Sequence, residues 1–249
     1  VHSLQIRENP IKIAMVGKYV TLADSYVSVN EALKHASASI NSSVSIDWID
    51  SETLNGNIKK LSEYQGILVP GGFGTRGSEG IINTSSFALE KNIPFLGICF
   101  GFQLAAVAFG RSVCKLEGSN STEISADTKH PIIALLPEQE GVSNMGGSLR
   151  LGANEINVNK NSLAHKIYNS EIIYKRHRHR YEFNTKYREQ FQKNGMNFTA
   201  ESDNGKRMEV LEVPSHKFFF GVQFHPEFSS RPGFPEQTFK AFVSAASQN

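Results

Sequence analysis

The 249-residue sequence lacks most of the features that fix a protein's class at once. It has two cysteines, Cys99 and Cys114, too few for a disulfide framework, which favours a reducing, cytoplasmic compartment. No apolar run approaches the roughly 20 residues of a membrane span. The opening Val1-His2-Ser3 has neither the charged nor the apolar part of a signal peptide. It also lacks an initiating Met, as expected of a processed chain or a piece of a longer one. Charge of one sign is missing as well. The formal net charge is +2, which points to neither a nucleic-acid coat nor a membrane surface. There is no repeat, no low-complexity tract and no linker, so a single domain over residues 1–249 is expected. With 39% hydrophobic and 20% charged residues, the chain reads as globular.

What is present alternates. Residues 11–17 form an apolar strand ending in Gly17. Residues 24–40 carry Val29, Leu33, Ala36 and Ile40 at helical spacing, with Asp24 or Ser25 as N-cap. Residues 44–49 alternate apolar and polar like a strand, 54–64 read as a short helical connector, and 66–70 as a buried strand running into Gly71-Gly72-Phe73-Gly74. Residues 78–91 read as a helix. Strand and helix in alternation predict an α/β fold, a mostly parallel central sheet flanked by helices. After residue 109 the pattern changes. Residues 120–123 and 130–131 look like loop, and 146–152 like a strand after a turn. Residues 197–201, 208–213 and 218–224 look like late strands, partly antiparallel, before a closing helix over 236–246. In such sheets the site lies at the carboxyl ends of the strands.

The stretch Gly97-Ile98-Cys99-Phe100-Gly101 follows a strand-like run and precedes an Ala-rich helical segment. It is the cysteine version of a nucleophile elbow, a sharp strand-to-helix turn in which a Cβ at either glycine would collide. A cysteine there lies at a helix N-terminus, whose dipole favours the reactive thiolate. The alternative is a plain buried cysteine. A thiolate nucleophile needs a base and a group to orient that base. His225 ends an apolar strand and would share the sheet edge of Cys99 if the two strands are parallel neighbours. Glu227 lies two residues on and can hold the imidazole. The alternative is a surface His-Pro-Glu turn. The Phe100 and Gly72 N–H groups are candidate oxyanion donors. The Gly71–Gly74 segment could otherwise be a plain turn or a phosphate cradle, but no Gly-Lys-Ser/Thr follows it.

These parts resemble a class I, triad-type glutamine amidotransferase, and in particular the C-terminal glutaminase domain of CTP synthases. The resemblance spans nearly the whole chain. It rests on Val16-Gly17-Lys18-Tyr19, Asp24-Ser25-Tyr26, the segment 69–77, Gly97-Ile98-Cys99-Phe100-Gly101-Phe102-Gln103, Asn120-Ser121-Thr122-Glu123, the segment 145–152, Arg176-His177-Arg178-His179-Arg180-Tyr181-Glu182 and the segment 221–228. Phe100 and Phe102 depart from the family, which usually has Leu and Met there. Both are apolar swaps that keep the N–H groups.

The resemblance implies glutamine hydrolysis through a Cys99 thioester with His225 and Glu227. It implies glutamine contacts from Gly72, Phe73, Phe100, Gly101, Phe102 and Gln103, with Glu123 for the ammonium and Arg180 for the carboxylate. It implies that Arg76, and Arg150 as the second candidate, serve activation by GTP or an interface. It also implies that the ammonia passes to a linked synthetase domain, outside this chain, that uses ATP and Mg to convert UTP to CTP in pyrimidine biosynthesis, in a homo-tetramer. No cofactor or metal is expected in this chain, and ATP or UTP binding is not. Alternation along residues 172–184 would put His177 and His179 on the face opposite the arginines. No acidic or Cys partner close in sequence makes that His pair a metal site. Cys114 reads as structural. The rivals are a γ-glutamyl hydrolase or cysteine peptidase on the same scaffold, and a non-catalytic regulatory module.

Overall fold

The fold, taken from a computed structural model, is described for residues 9–18, 20, 25–54, 56–135 and 149–249. Its first half alternates as the pattern predicts: β1 Ile11–Gly17, α1 Val27–Ser39, β2 Val44–Asp50, β3 Gly66–Val69, α2 Ser78–Lys91, β4 Phe95–Ile98 and α3 Phe100–Ser112. The second half holds β5 Ser119–Ser121, β6 His130–Ala134, β7 Arg150–Val158, α4 Leu163–Tyr168, β8 Ile172–His179, β9 Glu182–Phe183, α5 Arg188–Lys193, β10 Asn197–Ser202, β11 Arg207–Glu212, β12 Phe219–Val222 and α6 Gln237–Ala246. Residues 54–64 contain the short 3-10 turn Ile58–Glu63.

Nine of these strands form one sheet in the order β2-β1-β3-β4-β12-β11-β10-β7-β8. From β2 to β12 every pairing is parallel. From β12 to β8 every pairing is antiparallel. β3, β4 and β12 are short and buried along their length, as strands covered on both faces must be. β8 alternates instead, with Arg176 and Arg178 exposed and His177 and His179 buried, so the two histidines do face away from those arginines. The core divides into two apolar clusters. One includes Ile67, Phe95, Phe102 and Phe219; the other includes Met15, Leu96, Phe220 and Phe242.

Two expectations are corrected. Residues 120–123 and 130–131 are not simply loop. β5 and β6 pair in parallel, and β6 pairs with β9, so tertiary hydrogen bonding overrides a loop-like composition. The N-cap of α1 is Tyr26, with no side-chain cap, rather than Ser25; Asp24 lies outside the described residues. Of the segment 146–152, the part before Leu149 also lies outside them, and β7 begins at Arg150.

The antiparallel half carries a buried charge cluster. Glu209 is fully buried and accepts from Arg150 Nη1, Ser202 Oγ and His177 Nε2, the last at 2.8 Å. Glu182 is paired with Arg207 beside it. Unpaired, such carboxylates would cost several kcal/mol each. Burial opposes ionisation of Glu209, but His177, Arg150 and Ser202 outweigh it and hold the carboxyl at about 2 against an ordinary 4.5. A depressed carboxylate stabilises the fold above pH 4.5 and loses that contribution as pH falls toward 2. Urea midpoints measured across that window should therefore fall more steeply for the wild type than for Glu209→Gln.

The elbow glycines are required by space. A Cβ on Gly97 would lie 2.7 Å from the backbone of Gly101, and one on Gly101 would lie 2.3 Å from the Val69 carbonyl oxygen. Backbone cannot swing aside as a side chain can. Gly97→Ala and Gly101→Ala should each cost about 3 kcal/mol, the upper end for overpacking, read from chemical denaturation.

Candidate active site

Three loops meet at the carboxyl ends of three adjacent parallel strands. Gly71 follows β3, Cys99 follows β4 and His225 follows β12 within three residues. The β4–β12 register places Ile98 opposite Val222, and the Cys99 N–H donates to the Val222 carbonyl at 2.8 Å. This is the parallel adjacency that the sequence made a condition for pairing Cys99 with His225. The loops are in contact: a Cβ on Gly71 would lie 2.9 Å from His225 Cε1 and 3.8 Å from Cys99 Cβ.

Cys99 has φ 52° and ψ −97° and occupies the N-cap position of α3. This sparsely populated conformation is the strain that an elbow stores to present its nucleophile. The thiol is buried at the head of a helix whose first N–H groups have no partners within the helix. The Phe100 N–H is one of these. The Gly72 N–H donates to no group among the described residues, and Gly72 packs on the Phe100 ring, with only 3.5 Å between its would-be Cβ and Phe100 Cδ1.

His225 Nδ1 donates to Glu227 Oε1 at 2.8 Å, which leaves Nε2 for chemistry. Nε2 is buried and meets no partner at full hydrogen-bond geometry. Burial disfavours the charged ring, yet the nearby Cys99 sulfur, followed by Glu227, outweighs it and lifts the imidazole from 6.5 to about 10. His225 is therefore protonated at neutral pH, with its Nδ1 held by Glu227.

Sequence reasoning missed Gln223. It is fully buried, and its Nε2 donates to Cys99 Sγ at 3.8 Å. Its Oε1 accepts from Gln103 Nε2 at 3.3 Å, and the same nitrogen donates to the Tyr181 carbonyl at 2.9 Å. One signal was available: Gln223 is the single polar residue in the apolar run 218–224. Gln103 is thus committed to tying the elbow to the end of β8. The Arg178 carbonyl lies 4.0 Å from the sulfur.

Glu123 and Arg180 both act electrostatically on the Tyr181 phenol. Burial raises the Tyr181 phenol, the Glu123 charge raises it further, and the Arg180 charge pulls it down. Glu123 Oε1 also accepts the Gly74 N–H at 2.8 Å, so this carboxylate holds the glycine loop. Phe73 is 67% exposed at the tip of that loop. Phe102 is wholly buried in the core beneath, and Gly101 packs on Val69. The two arginines expected at an effector site are each engaged with protein groups. Arg76 spans Glu52 at 2.9 Å and the Lys18 carbonyl. Arg150 is committed to Glu209 and Ser202, with a 9% exposed side chain. Among the described residues no group of three or more His, Cys, Asp or Glu could hold a metal ion, and no helix is long and apolar enough to cross a membrane.

A strained cysteine, a carboxylate-held imidazole and two N–H donors at adjacent strand ends form a hydrolase-type constellation. The family profile that matches this chain, over residues 21–245, is glutamine amidotransferase class-I. The chain belongs to that family. It is 51% identical over 234 residues to the CTP synthase of Archaeoglobus fulgidus, covering 94% of this chain and 44% of that protein. It is 51% identical over 238 residues to the CTP synthase of Halalkalibacterium halodurans, covering 95% and 45%. The chain thus spans less than half the length of these relatives. In structure it is similar to the glutaminase domain of Trypanosoma brucei CTPS with bound acivicin, at TM-score 0.90 and 36% identity, covering 96% of this chain and 94% of that one. A glutamine amidotransferase of Thermotoga maritima shares the fold alone, at TM-score 0.58 and 14% identity, covering 96% of this chain and 97% of that one.

Burial alone pushes the Cys114 thiol up to about 11, and no base is placed beside it. Iodoacetamide at pH 7.5 should alkylate Cys99 and leave Cys114 unmodified in the folded protein, as read by peptide mass spectrometry.

Proposed function

We propose that this amidotransferase domain hydrolyses the side-chain amide of glutamine. The observation that carries this is the pairing of Cys99 with a Glu227-held His225, in a site where Glu123 holds the glycine loop and Arg180 directly precedes the Tyr181 carbonyl that Gln103 grips. Free glutamine offers an ammonium and a carboxylate, and these two side chains suit them as charge-assisted partners. A peptide-directed site would not need both.

Cys99 sulfur attacks the amide carbon, and the carbonyl π electrons move onto oxygen, where the Phe100 and Gly72 N–H groups receive the charge. His225 then gives its proton to the amide nitrogen. The C–N bond breaks, ammonia leaves, and a γ-glutamyl thioester remains on Cys99. Water adds to the thioester with His225 as base, and the C–S bond breaks to release glutamate and restore the starting site. The histidine must be charged before the first bond breaks, and a pKa of about 10 supplies that. Gln223 steadies the sulfur when it carries charge.

The relatives' names extend the proposal. In a protein of their length, the ammonia would feed a linked synthetase portion that aminates UTP with ATP and Mg, and assembly as a homo-tetramer is part of the same reading. GTP would act at or near Arg76, which is half-exposed and hydrogen-bonds beside the glycine loop. The chemistry proposed for the domain itself needs no cofactor.

The test is intact mass after incubation with acivicin, with and without competing glutamine, together with ammonia release. Single, glutamine-protected labelling at Cys99 is expected. Cys99→Ala should abolish both labelling and ammonia release. Arg180→Ala should raise the KM for glutamine roughly 10- to 100-fold, the worth of a hydrogen bond to a charged group. Equal ammonia release by the wild type and Cys99→Ala would end the proposal.

A further inference from the structure

Lys18 is a buried lysine just past the end of β1, on the side of the sheet where the site lies. A buried ammonium is expensive unless it is fully occupied. Here its Nζ donates to the Phe73 carbonyl at 2.9 Å and to the Gly74 carbonyl. It also sits 4.1 Å from the centroid of the Phe100 ring, a cation–π distance. The Lys18 N–H donates to Tyr26 Oη at 3.2 Å, and its carbonyl accepts from Arg76. The lysine is therefore fixed at both ends of its own residue.

The two carbonyls it grips belong to the residues directly after Gly72, and the ring it rests on belongs to Phe100. Gly72 and Phe100 are the two oxyanion donors. The glycine loop forms neither helix nor strand. Gly74 has φ +78°, and the Gly74 N–H is taken by Glu123. We propose that Lys18 is a positioning residue for glutamine hydrolysis: its ammonium, seated on Phe100 and holding the Phe73 and Gly74 carbonyls, sets the spacing of the two N–H donors that receive the oxyanion. This rests on the glutaminase reading above.

The charged form makes this strut, and its charge is unusually easy to remove. Burial lowers the Lys18 ammonium from 10.5 to about 8, with the facing groups Glu123 and Glu52 opposing and Arg76 assisting. Tyr26 packs against it from α1's N-cap. His225 holds its proton to about 10, and the Tyr181 phenol titrates above its ordinary 10. A fall in kcat as pH passes 8 is thus assigned to Lys18, because a neutral amine lacks the third donor and the cation–π attraction.

The experiment is steady-state glutamine hydrolysis by the full-length protein for wild type, Lys18→Met and Lys18→Arg between pH 6.5 and 9.5, with iodoacetamide alkylation of Cys99 in parallel. Alkylation develops no oxyanion. Lys18→Met should lower kcat 10- to 100-fold, somewhat less than the loss of an oxyanion donor itself, with KM within threefold and Cys99 alkylation unchanged. Lys18→Arg, which stays charged, should retain kcat above pH 8 where the wild type declines. If Lys18→Met fails to give a folded thermal transition, the pH profile of Lys18→Arg decides alone. A Lys18→Met kcat within twofold of wild type, an effect confined to KM, or a Lys18→Arg profile that falls at the same pH as wild type would each overturn the proposal. A wild type without ammonia release would instead overturn the glutaminase reading.

Discussion

The site depends on one pairing, β12 laid parallel beside β4. Cys99 and His225 belong to distant parts of the chain, and neither has chemistry alone. The hydrogen bond from Cys99 N–H to the Val222 carbonyl closes that ladder at its carboxyl end, and the two side chains emerge where the strands stop. β3, on the other side of β4, adds the glycine loop at the same level. Parallel strands can do this because all their carboxyl ends lie on one edge, so that one edge collects a nucleophile, a base and two N–H donors. The antiparallel half cannot contribute in that way. It buttresses the far side instead: the end of β8 brings the Arg178 and Tyr181 carbonyls to the sulfur and to Gln103.

The residues legible in the sequence were those whose chemistry is local. The elbow announces itself through glycines two before and two after Cys99, and the geometry explains both by backbone contacts under 3 Å. His225 and Glu227 sit two apart and bond directly. The parallel half was legible because strands buried on both faces read as short apolar runs between helices. What was not legible depends on partners far along the chain. β5 and β6, three and five residues long, exist because they find each other and β9. Arg150 read as an effector or interface arginine in a strand after a turn, and only its meeting with Glu209, a residue of another strand, shows it buried in an ion pair. Gln223 was visible as a polar residue in an apolar run, but its role appears only when the β4–β12 pairing places it under the thiol.

Charge is handled differently in the two halves. In the antiparallel half, Glu209 is closed in with basic partners that hold its ionised form, and these contacts do not change during reaction, whereas burial outweighs Arg207 at Glu182 and lifts that carboxyl to about 8. At the sheet edge the charges are exchangeable. The His225 imidazole owes its basicity first to the Cys99 sulfur, which is consumed in bonding to substrate, so its proton becomes available as that bond forms. The same physics thus gives rigidity in one place and proton transfer in the other. The difference lies in whether the partner is consumed.

The crowding around the elbow has a consequence for judging homologous sequences. Positions 97 and 101 are closed to any side chain by main-chain atoms, whether or not the protein turns over substrate. A relative that has lost activity would still keep both glycines, because selection for folding alone retains them. Position 99 is different, since its strained backbone stores energy that only a nucleophile repays. Once chemistry is no longer selected, drift there toward glycine or asparagine would relax the turn. In this family, then, the flanking glycines report that a protein folds, and the residue between them reports whether it still works.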